Sequence, residues 1–379
     1  MTINVVVNGL GTMGRYYLRA IQKEINEGKL QPGEIEVVAF NDLFPAKQLA
    51  PLLAHDSIYL GFPGIGGKEG KVEADGNDLI VNGKRIRGFA EREPSKIPFG
   101  DLGANVVYES SGAFTDLPKL PTPEEVTKNN ITPNQLEEIK EKRQKLEETI
   151  SKYFGSVKPG KIIYSAPTKF AEVTIVFGVN NKMYVGQYII SNASCTTNCL
   201  APLSQALLDK FGVYKGLMTT IHAYTADQRL VDAAHKDVAR SYAATLNFIP
   251  TSTGAAIAIG EVIKELKGKL NGIAIRGPVP VGSLVDLVAE FSKEVSPEEV
   301  SKVVKEAAEG YLKGALEYRK GPIVSSMVLG NPTPSVFDAK ETMTVGNLAK
   351  VISYYDNVAG YTHQALKLTR LVATYKPSQ

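Results

Sequence analysis

A cysteine in the middle of the chain stands where a helix is expected to begin. Residues 191–199 are Ser-Asn-Ala-Ser-Cys-Thr-Thr-Asn-Cys, and an apolar, helix-like stretch, Leu200 to Leu208, follows them. The N–H groups and the dipole of a helix N-terminus favour a thiolate and can hold an anion beside it. Small polar residues before an apolar run are also ordinary capping residues, and a cysteine there is often simply buried. Cys195 is therefore a candidate nucleophile with a structural alternative.

A glycine-rich turn near the start predicts a dinucleotide site. The pattern G-x-G-x-x-G spans residues 9–14, between a strand-like run, Ile3 to Val7, and a helical pattern, Arg15 to Ile25. Such glycines allow a tight turn and let the backbone approach a pyrophosphate at the helix N-terminus. The second strand, Glu36 to Phe40, leads to Asp42, about where a ribose-binding carboxylate belongs. The alternative is a plain glycine turn with a helix-capping aspartate.

The remaining patterns predict an α/β chain with two domains. Strands at residues 106–109 and 161–165 extend a mostly parallel, Rossmann-type N-terminal sheet. After Cys195 the chain predicts an α+β domain with a largely antiparallel sheet. Its expected elements are strands at 216–222, 271–276 and 283–291, and a helix at 297–312. A final helix is expected at 361–372, whereas residues 225–248 lack a period and are long for a connector.

A polar segment, residues 117–158, separates two of the predicted parallel strands. It contains two capping-box patterns, Thr-Pro-Glu-Glu at 122–125 and Thr-Pro-Asn-Gln at 132–135, so two helices should form there. The second carries an apolar stripe of Leu136, Ile139, Leu146, Ile150 and Tyr153. A solvated helix packed on its own domain is favoured over a partner-binding helix.

Composition excludes several classes of function. The 379 residues carry 43 basic and 40 acidic side chains, a net charge of +3, so neither nucleic acid nor a membrane surface is an expected partner. The two cysteines, Cys195 and Cys199, indicate no disulfide framework, and the four histidines lie too far apart in sequence for a metal site. With no signal-like start and no membrane-spanning apolar run, the chain predicts a cytoplasmic protein that binds no metal.

Four separated motifs occur in one order along the chain: SNASCTTNC at 191–199, HAYTADQR at 222–229, TSTGAA at 251–256 and YDNVAGY at 355–361. With them the chain resembles the phosphorylating glyceraldehyde-3-phosphate dehydrogenase family. The resemblance implies oxidation of glyceraldehyde 3-phosphate to 1,3-bisphosphoglycerate by NAD(P), through a cysteine thiohemiacetal and a thioester that inorganic phosphate cleaves. It makes Cys195 the nucleophile and His222 its proton shuttle, the alternative for His222 being a core histidine.

The resemblance also implies two anion pockets and a cofactor site. It assigns Ser194, Thr196, Thr253 and Gly254 to the attacking phosphate, Thr225 and Arg276 to the C3 phosphate of the substrate, and Arg240 to a position between the pockets. It assigns Gly9, Gly11, Thr12 and Met13 to the pyrophosphate, Asp42 to the ribose, Ser165 and Asn357 to the nicotinamide region, and Tyr361 to packing nearby. For each phosphate residue, a capping hydroxyl or a surface arginine is the alternative.

The chain departs from the family pattern at several positions. Thr12 stands where arginine is common, Val358-Ala359 follow the YDN motif where glutamate and tryptophan are usual, and residues 277–282 differ. Residues 117–158 are longer than usual, so we treat them as a helical insertion. Asp42 favours NAD because a carboxylate repels a 2′-phosphate. Ala233-Ala234, where strict NAD users usually have Leu-Pro, leaves NADP open as a second cofactor.

The resemblance implies a domain plan and an assembly. Residues 1–194, completed by a C-terminal helix within 357–379, form the dinucleotide-binding domain, and 195–356 form the catalytic and oligomerisation domain. A homotetramer is expected, with residues 225–248 at an interface. Two alternatives stay open at this point: erythrose-4-phosphate dehydrogenase, and a weakly active paralogue that acts as a binding module.

Overall fold

A computed structural model shows two large sheets in this chain. The structure describes residues 2–117 and 120–377, and of Val213 and Tyr214 it describes the backbone alone. The first part contains β1 Ile3–Asn8, α1 Thr12–Asn26, β2 Ile35–Asn41, α2 Ala46–Ala54, β3 His55–Asp56, β4 Leu60–Gly61, β5 Val72–Asp75, β6 Asp78–Val81, β7 Lys84–Phe89, β8 Val106–Glu109, α3 Pro123–Lys128, α4 Pro133–Val157, β9 Lys161–Tyr164, β10 Val173–Thr174 and β11 Ile189–Ser191. The second contains α5 Cys195–Phe211, β12 Val213–Ala223, β13 Ile249–Ser252, α6 Ala255–Val262, β14 Leu270–Gly277, β15 Ser283–Phe291, α7 Pro297–Glu309, β16 Glu317–Arg319, β17 Val336–Val345, β18 Leu348–Tyr355 and α8 Ala359–Thr374.

The first sheet is mostly parallel, as the sequence predicts. Over the described residues its strand order is β10-β11-β9-β8-β1-β2-β7-β6-β5, and only the β7-β6-β5 end is antiparallel. Val5, Val7 and Tyr108 are fully buried in its core. The carboxyl ends of β1, β2 and β8 therefore meet at one edge, where ligands of parallel sheets bind.

The second sheet is mixed and largely antiparallel, which confirms the predicted fold class. Its order over the described residues is β13-β14-β12-β15-β18-β17-β16, with parallel pairing between β12 and β14 and between β16 and β17. Helices α5, α6 and α7 pack against one face of this sheet. Residues 225–248 form no regular strand or α-helix, in agreement with their missing period.

Two predicted helix boundaries differ from the structure, and a third agrees with it. The helix after the glycine turn begins at Thr12 rather than Arg15, because Gly11 already takes the N-cap position. The helix that includes Leu200 begins at Cys195, as expected, and Ser194 caps it. The helix predicted to reach Leu312 ends at Glu309, before Gly310. Capping residues therefore mark these helix ends better than the apolar pattern does.

Both helices predicted within residues 117–158 are present. Thr122 and Thr132 each form a complete capping box at the start of α3 and α4. Only the second half of the predicted apolar stripe is buried: Ile150 and Tyr153 pack in a core with Val107, whereas Leu136 and Ile139 are half-exposed. The helix therefore docks on the sheet through its C-terminal half.

Helix α8 returns to the first sheet and packs along α1. The hydroxyls of Tyr17 and Thr369 lie 2.7 Å apart, and Nδ1 of His363 lies 2.8 Å from Oε1 of Glu24, both pairs being buried. Burial by itself raises the pKa of Glu24, but the hydrogen bond with His363 and the charge of Lys367 bring it below its ordinary value. These buried contacts join α8 to α1.

Within residues 2–117 and 120–377, no helix is long and apolar enough to cross a membrane. The same residues contain no cluster of three or more His, Cys, Asp or Glu side chains arranged to hold a metal ion.

Replacing Glu24 by Gln should lower the free energy of unfolding by about 1.5–3 kcal/mol at pH 7, because it removes a charged hydrogen-bond partner of buried His363. A carboxylate with a lowered folded pKa stabilises the fold above its unfolded value of 4.5, and this contribution is lost as the pH falls through the folded value. Urea titrations at pH 7 and below pH 4 measure the difference. Glu27→Gln, which removes a surface pair with Lys29, is the control. Equal losses in the two variants at pH 7 would contradict the prediction.

Candidate active site

Cys195 occupies the first position of α5. Ser194 caps the helix by accepting a hydrogen bond from the N–H of Thr197 at 3.1 Å. The preceding residue, Ala193, has a φ of 54°, a conformation that a non-glycine residue adopts at a cost. Its backbone is held by Ser191 Oγ, which accepts from the N–H at 3.0 Å, and by the hydroxyl of Tyr361, which donates to the carbonyl at 3.1 Å. The turn at Ala193 leads directly into the helix that begins with the thiol. No sequence pattern predicted the positive φ of Ala193.

His222 lies opposite the thiol because of strand register. It pairs with Arg276 across the parallel strands β12 and β14, so both side chains point to one place. Nε2 of His222 is 3.4 Å from Sγ of Cys195. Nδ1 is 2.7 Å from the carbonyl oxygen of Ala223, and Nη1 of Arg276 donates to the same oxygen at 3.1 Å. Nη1 of Arg276 also lies 2.9 Å from Nδ1, so this nitrogen faces both an acceptor and a donor. In the neutral tautomer whose proton is on Nδ1 and is donated to Ala223, Nε2 is free to accept a proton from the thiol.

The surroundings of this pair shift the pKa values of both groups. Burial, followed by the positive charge of Arg276, lowers it to about 4, so the imidazole is neutral at pH 7. Burial raises the pKa of Cys195, and the charge of Arg276 and the N–H of Thr196 offset only part of that rise. The N–H groups at the start of α5 thus act in the expected direction, toward the thiolate, but desolvation of the sulfur is the larger effect.

A cavity of about 180 Å³ opens beside the thiol. Two helix N-termini face it, those of α5 and α6, and Thr253 accepts a hydrogen bond from Ala255 N–H at 3.2 Å in the first turn of α6. Backbone N–H groups and a guanidinium in one small cavity suit an anion. The predicted site residues that line it are Ser194, Cys195, Thr196, His222, Thr253, Gly254 and Arg276.

Tyr355 contacts two residues that line this cavity, Thr196 and Thr220. It was not among the predicted site residues. Its hydroxyl lies 2.8 Å from Oγ1 of Thr196 and 2.9 Å from Oγ1 of Thr220, and its ring meets that of His222 edge-on at 5.9 Å. The signal in the sequence was its place at the head of the YDN motif. Tyr355 links β18 to both α5 and β12, so it fixes their spacing.

A larger cleft of about 750 Å³ meets the same thiol from the side of the first sheet. It contains several of the residues predicted to bind the cofactor, together with the predicted substrate residue Thr225. Those cofactor residues are Thr12, Met13, Ser165, Asn357 and Tyr361. The thiol and imidazole thus lie where the small cavity and the cleft join.

The glycine turn at the far end of this cleft fits a dinucleotide. Gly9 has a φ of +94°, and a Cβ there would lie 2.5 Å from Cα of Ser111. A Cβ on Gly14 would lie 2.2 Å from the carbonyl oxygen of Gly9, whereas a Cβ on Gly11 would meet no atom within 4 Å. Gly9 and Gly14 therefore permit the tight turn, and open space above Gly11 lets a pyrophosphate approach the backbone. Asp42 stands beside it, its Oδ2 accepting from Leu10 N–H at 2.8 Å.

The amide of Asn357 is oriented by its neighbours. Its Oδ1 accepts hydrogen bonds from the N–H of Gly282 at 3.1 Å and from the hydroxyl of Ser283 at 3.2 Å. Because the oxygen is held by two donors, the NH₂ group points the other way and is available to a ligand carbonyl. The unusual residues 277–282 therefore still supply one of the contacts that positions Asn357.

Arg240 is not brought into the site directly. It pairs with Asp227, which also accepts a hydrogen bond from the hydroxyl of Thr225. Burial alone raises the pKa of Asp227, but Thr225 and Arg240 bring it below its ordinary value. Among the described residues, Arg240 does not line either cavity. Its link to Arg276 runs through Asp227 and then Thr225, whose Oγ1 lies 3.3 Å from Nη1 of Arg276.

Fold and site together define a class: a two-sheet oxidoreductase with a dinucleotide cleft that ends at a thiol–imidazole pair. Comparison with known families agrees, since residues 3–117 match the model described as glyceraldehyde 3-phosphate dehydrogenase, NAD binding domain, and residues 194–357 match its C-terminal domain. The chain belongs to the glyceraldehyde-3-phosphate dehydrogenase family, and NAD is its cofactor. The resemblance seen in the sequence is confirmed.

Individual relatives match over almost their whole lengths. Glyceraldehyde-3-phosphate dehydrogenase of Mycolicibacterium smegmatis is 46% identical, over 98% of this chain and 99% of its own. Glyceraldehyde-3-phosphate dehydrogenase 1 of Bacillus subtilis is 45% identical over 98% and 99%, and the Geobacillus stearothermophilus protein of the same name is 43% identical over 99% and 99%. The N-terminal family match stops at residue 117, where the segment with α3 and α4 begins.

Replacing Arg276 by Gln should slow alkylation of Cys195 by iodoacetamide at pH 7 by about tenfold, because the arginine charge lowers the pKa of the thiol and only the thiolate reacts. The pH profile of the reaction should move to higher pH. Iodoacetamide is uncharged, so the rate reports the thiol rather than attraction of the reagent. Arg229→Gln, an exposed arginine of the 225–248 loop, is the control and should leave the rate within about twofold of the parent. An unchanged profile in Arg276→Gln would contradict the prediction.

Proposed function

We propose that this chain catalyses the NAD-dependent oxidative phosphorylation of glyceraldehyde 3-phosphate to 1,3-bisphosphoglycerate. The observation that carries the proposal is the 3.4 Å contact between Cys195 and His222 at the junction of the dinucleotide cleft and the anion cavity. Family membership supports the same reaction, as do the printed names of the relatives. NAD, when bound, accepts the hydride that leaves the substrate carbon.

Proton transfer is assigned to His222. Its neutral Nε2 accepts the proton of the Cys195 thiol as the sulfur attacks the aldehyde carbon. Arg276 makes this transfer unfavourable in the resting site, because its charge lowers the pKa of the imidazole. A substrate phosphate bound at Arg276 offsets that charge and raises the pKa of His222, so substrate binding prepares the base.

We propose two anion positions. Arg276 and Thr225, 3.3 Å apart, are proposed to hold the C3 phosphate, and Arg240 supports them through Asp227. The hydroxyls of Ser194, Thr196 and Thr253, with the N–H groups at the start of α6, are proposed to hold the inorganic phosphate that cleaves the thioester. The cavity that contains them opens directly beside the sulfur.

On the cofactor side, Gly9, Gly11, Thr12 and Met13 are proposed to bind the pyrophosphate, and Asp42 the adenosine ribose. Asn357 is proposed to hold the carboxamide through its NH₂ group, with Ser165 and Tyr361 beside the ring. Because a carboxylate repels a 2′-phosphate, Asp42 favours NAD over NADP. Ala233-Ala234 keeps NADP as the second cofactor to be measured.

The division into domains and the compartment also stay proposals. We propose residues 1–194, completed by the helix within 357–379, as the dinucleotide-binding domain and 195–356 as the catalytic and oligomerisation domain. The packing of α8 on α1 supports the C-terminal completion. Free thiols at Cys195 and Cys199 support a reducing compartment, the cytoplasm.

We further propose a homotetramer, supported by the outer face of the second sheet. One face of β12, β14, β15 and β18 is buried under helices, yet the other presents apolar side chains: Leu217, Ile273, Val288 and Leu348 are 69%, 48%, 37% and 42% exposed. Strand register places them together, since Leu217 pairs with Val288. A contiguous apolar sheet face of this kind is covered by a partner, and a second copy of the same face is self-complementary.

The proposed reaction is tested by NADH formation at about 340 nm with glyceraldehyde 3-phosphate, with and without phosphate and with each cofactor. Turnover should require phosphate and be faster with NAD than with NADP. Cys195→Ser should lower kcat by about 10³-fold or more, because the oxygen is a far weaker nucleophile, and His222→Asn by about 10²-fold or more. Cys199→Ala, which removes the other, buried thiol, is the control and should keep turnover.

The same assay separates the alternatives. Turnover of erythrose 4-phosphate but not of glyceraldehyde 3-phosphate would transfer the assignment to the erythrose enzyme. A parent protein without turnover of either substrate would replace the enzymatic proposal by the binding-module alternative.

Light scattering after size-exclusion chromatography tests the assembly. The parent should have the mass of four chains, and Leu217→Glu should give a smaller species, because a carboxylate on each copy would be buried without a partner. Ile65→Glu places the same charge on an equally exposed apolar residue, 70% exposed, of the first domain and should stay tetrameric. A monomeric parent would refute the proposal.

A further inference from the structure

The insertion helix α4 delivers one polar group to the edge of the parallel sheet. The hydroxyl of Tyr153, which is fully buried, donates to Oε2 of Glu109 at 2.8 Å. The ring is fixed among aromatic neighbours, with centroid distances of 6.1 Å to Phe99, 5.6 Å to Phe114 and 5.9 Å to Phe154. Tyr153 therefore has one orientation, and it lies in the stretch that neither family model matches.

Glu109 is the last residue of β8 and is itself only 2% exposed. Its Oε1 accepts from the N–H of Ser111 at 2.9 Å and from the Ser111 hydroxyl at 2.5 Å, and its Oε2 accepts from Nδ2 of Asn8 at 2.6 Å as well as from Tyr153. Burial raises the pKa of Glu109, while the donors Ser111, Asn8 and Tyr153 offset part of the rise. Such a buried carboxyl holds its geometry only while its donors are present.

The contacts continue from Glu109 to the glycine turn. Asn8 immediately precedes Gly9, and the backbone of Ser111 is the surface against which Gly9 packs. Ser110 adds a hydrogen bond from its hydroxyl to the carbonyl oxygen of Gly9 at 2.7 Å. The carboxylate thus holds both sides of the turn that is to receive the pyrophosphate.

The same contacts reach the ribose position. Oδ1 of Asn8 accepts from Nδ2 of Asn41 at 2.8 Å, and Asn41 is the residue before Asp42. Asn41 and Asn8 are 5% and 1% exposed, so this link is shielded from water. One chain of hydrogen bonds, Tyr153 to Glu109 to Asn8 to Asn41, therefore connects the insertion helix to both cofactor-binding loops.

We propose that Tyr153 of the insertion helix is a positioning residue for NAD, acting through Glu109 and Asn8 to hold the glycine turn and the Asp42 loop in their binding geometry. The inference rests on the cofactor site proposed above. It gives the insertion a purpose that its exposed, charged first half does not suggest: the helix adds a donor to the cofactor domain, and that donor lowers the dissociation constant for NAD.

Tyr153→Phe tests the inference, because it keeps the ring packing and removes only the hydroxyl. Calorimetric titration of the apo tetramer with NAD should show a dissociation constant raised about three- to tenfold, with kcat at saturating NAD within about twofold of the parent. Tyr17→Phe is the matched control, since it removes another fully buried hydroxyl of the same domain, bonded to Thr369, that does not contact Glu109. It should lower thermal stability comparably and leave NAD affinity within about twofold.

A double-mutant cycle isolates the route. In a Glu109→Gln background the effect of Tyr153→Phe on NAD affinity should fall to less than about twofold, because the acceptor is already altered. Equal NAD affinity in the parent and Tyr153→Phe, an equal loss in Tyr17→Phe, or a full effect of Tyr153→Phe in the Glu109→Gln background would each overturn the inference. Because the titration needs no turnover, a parent that binds NAD but does not oxidise glyceraldehyde 3-phosphate would defeat the proposed function and leave this inference standing.

Discussion

The contact between a helix end and a strand end is the constraint on which the site depends. Cys195 gains its place from the capped start of α5, and His222 gains its place from the register of β12 with β14. Neither element positions a site alone. Their spacing is set by Tyr355, which bonds to Thr196 on the helix and Thr220 on the strand. The two hydrogen bonds of Tyr355 thus support the 3.4 Å distance between Sγ of Cys195 and Nε2 of His222.

Electrostatics then decide the resting state of the pair. A helix N-terminus and a nearby arginine both favour a thiolate, yet burial of the sulfur is the larger effect here. Arg276 has a double effect, since the same charge that lowers the pKa of Cys195 also lowers that of His222. The charge of Arg276 therefore favours the thiolate at Cys195 and the neutral imidazole at His222.

The cofactor loops of the first domain are also held by a small number of buried hydrogen bonds. The strand ends that carry Gly9 and Asp42 are joined by amide and carboxyl groups that water does not reach. The Glu24–His363 pair joins α8 to α1, and the residues at and just before the start of α8, among them Asn357 and Tyr361, line the cleft. Helix α4 enters the same network through Tyr153, although its first half is largely exposed.

The sequence by itself determined the fold class, both insertion helices, the glycine turn and the thiol–histidine pair, because these depend on local period, capping residues and short motifs. Tertiary structure alone decided which face of β12 carries His222 toward Cys195, that Ala193 takes a positive φ, and that Arg240 faces Asp227 instead of a cavity. It also decided that Tyr153 meets Glu109, residues 44 positions apart. Register, burial and pKa arise from contacts between distant segments, and no local pattern in a single sequence encodes those contacts.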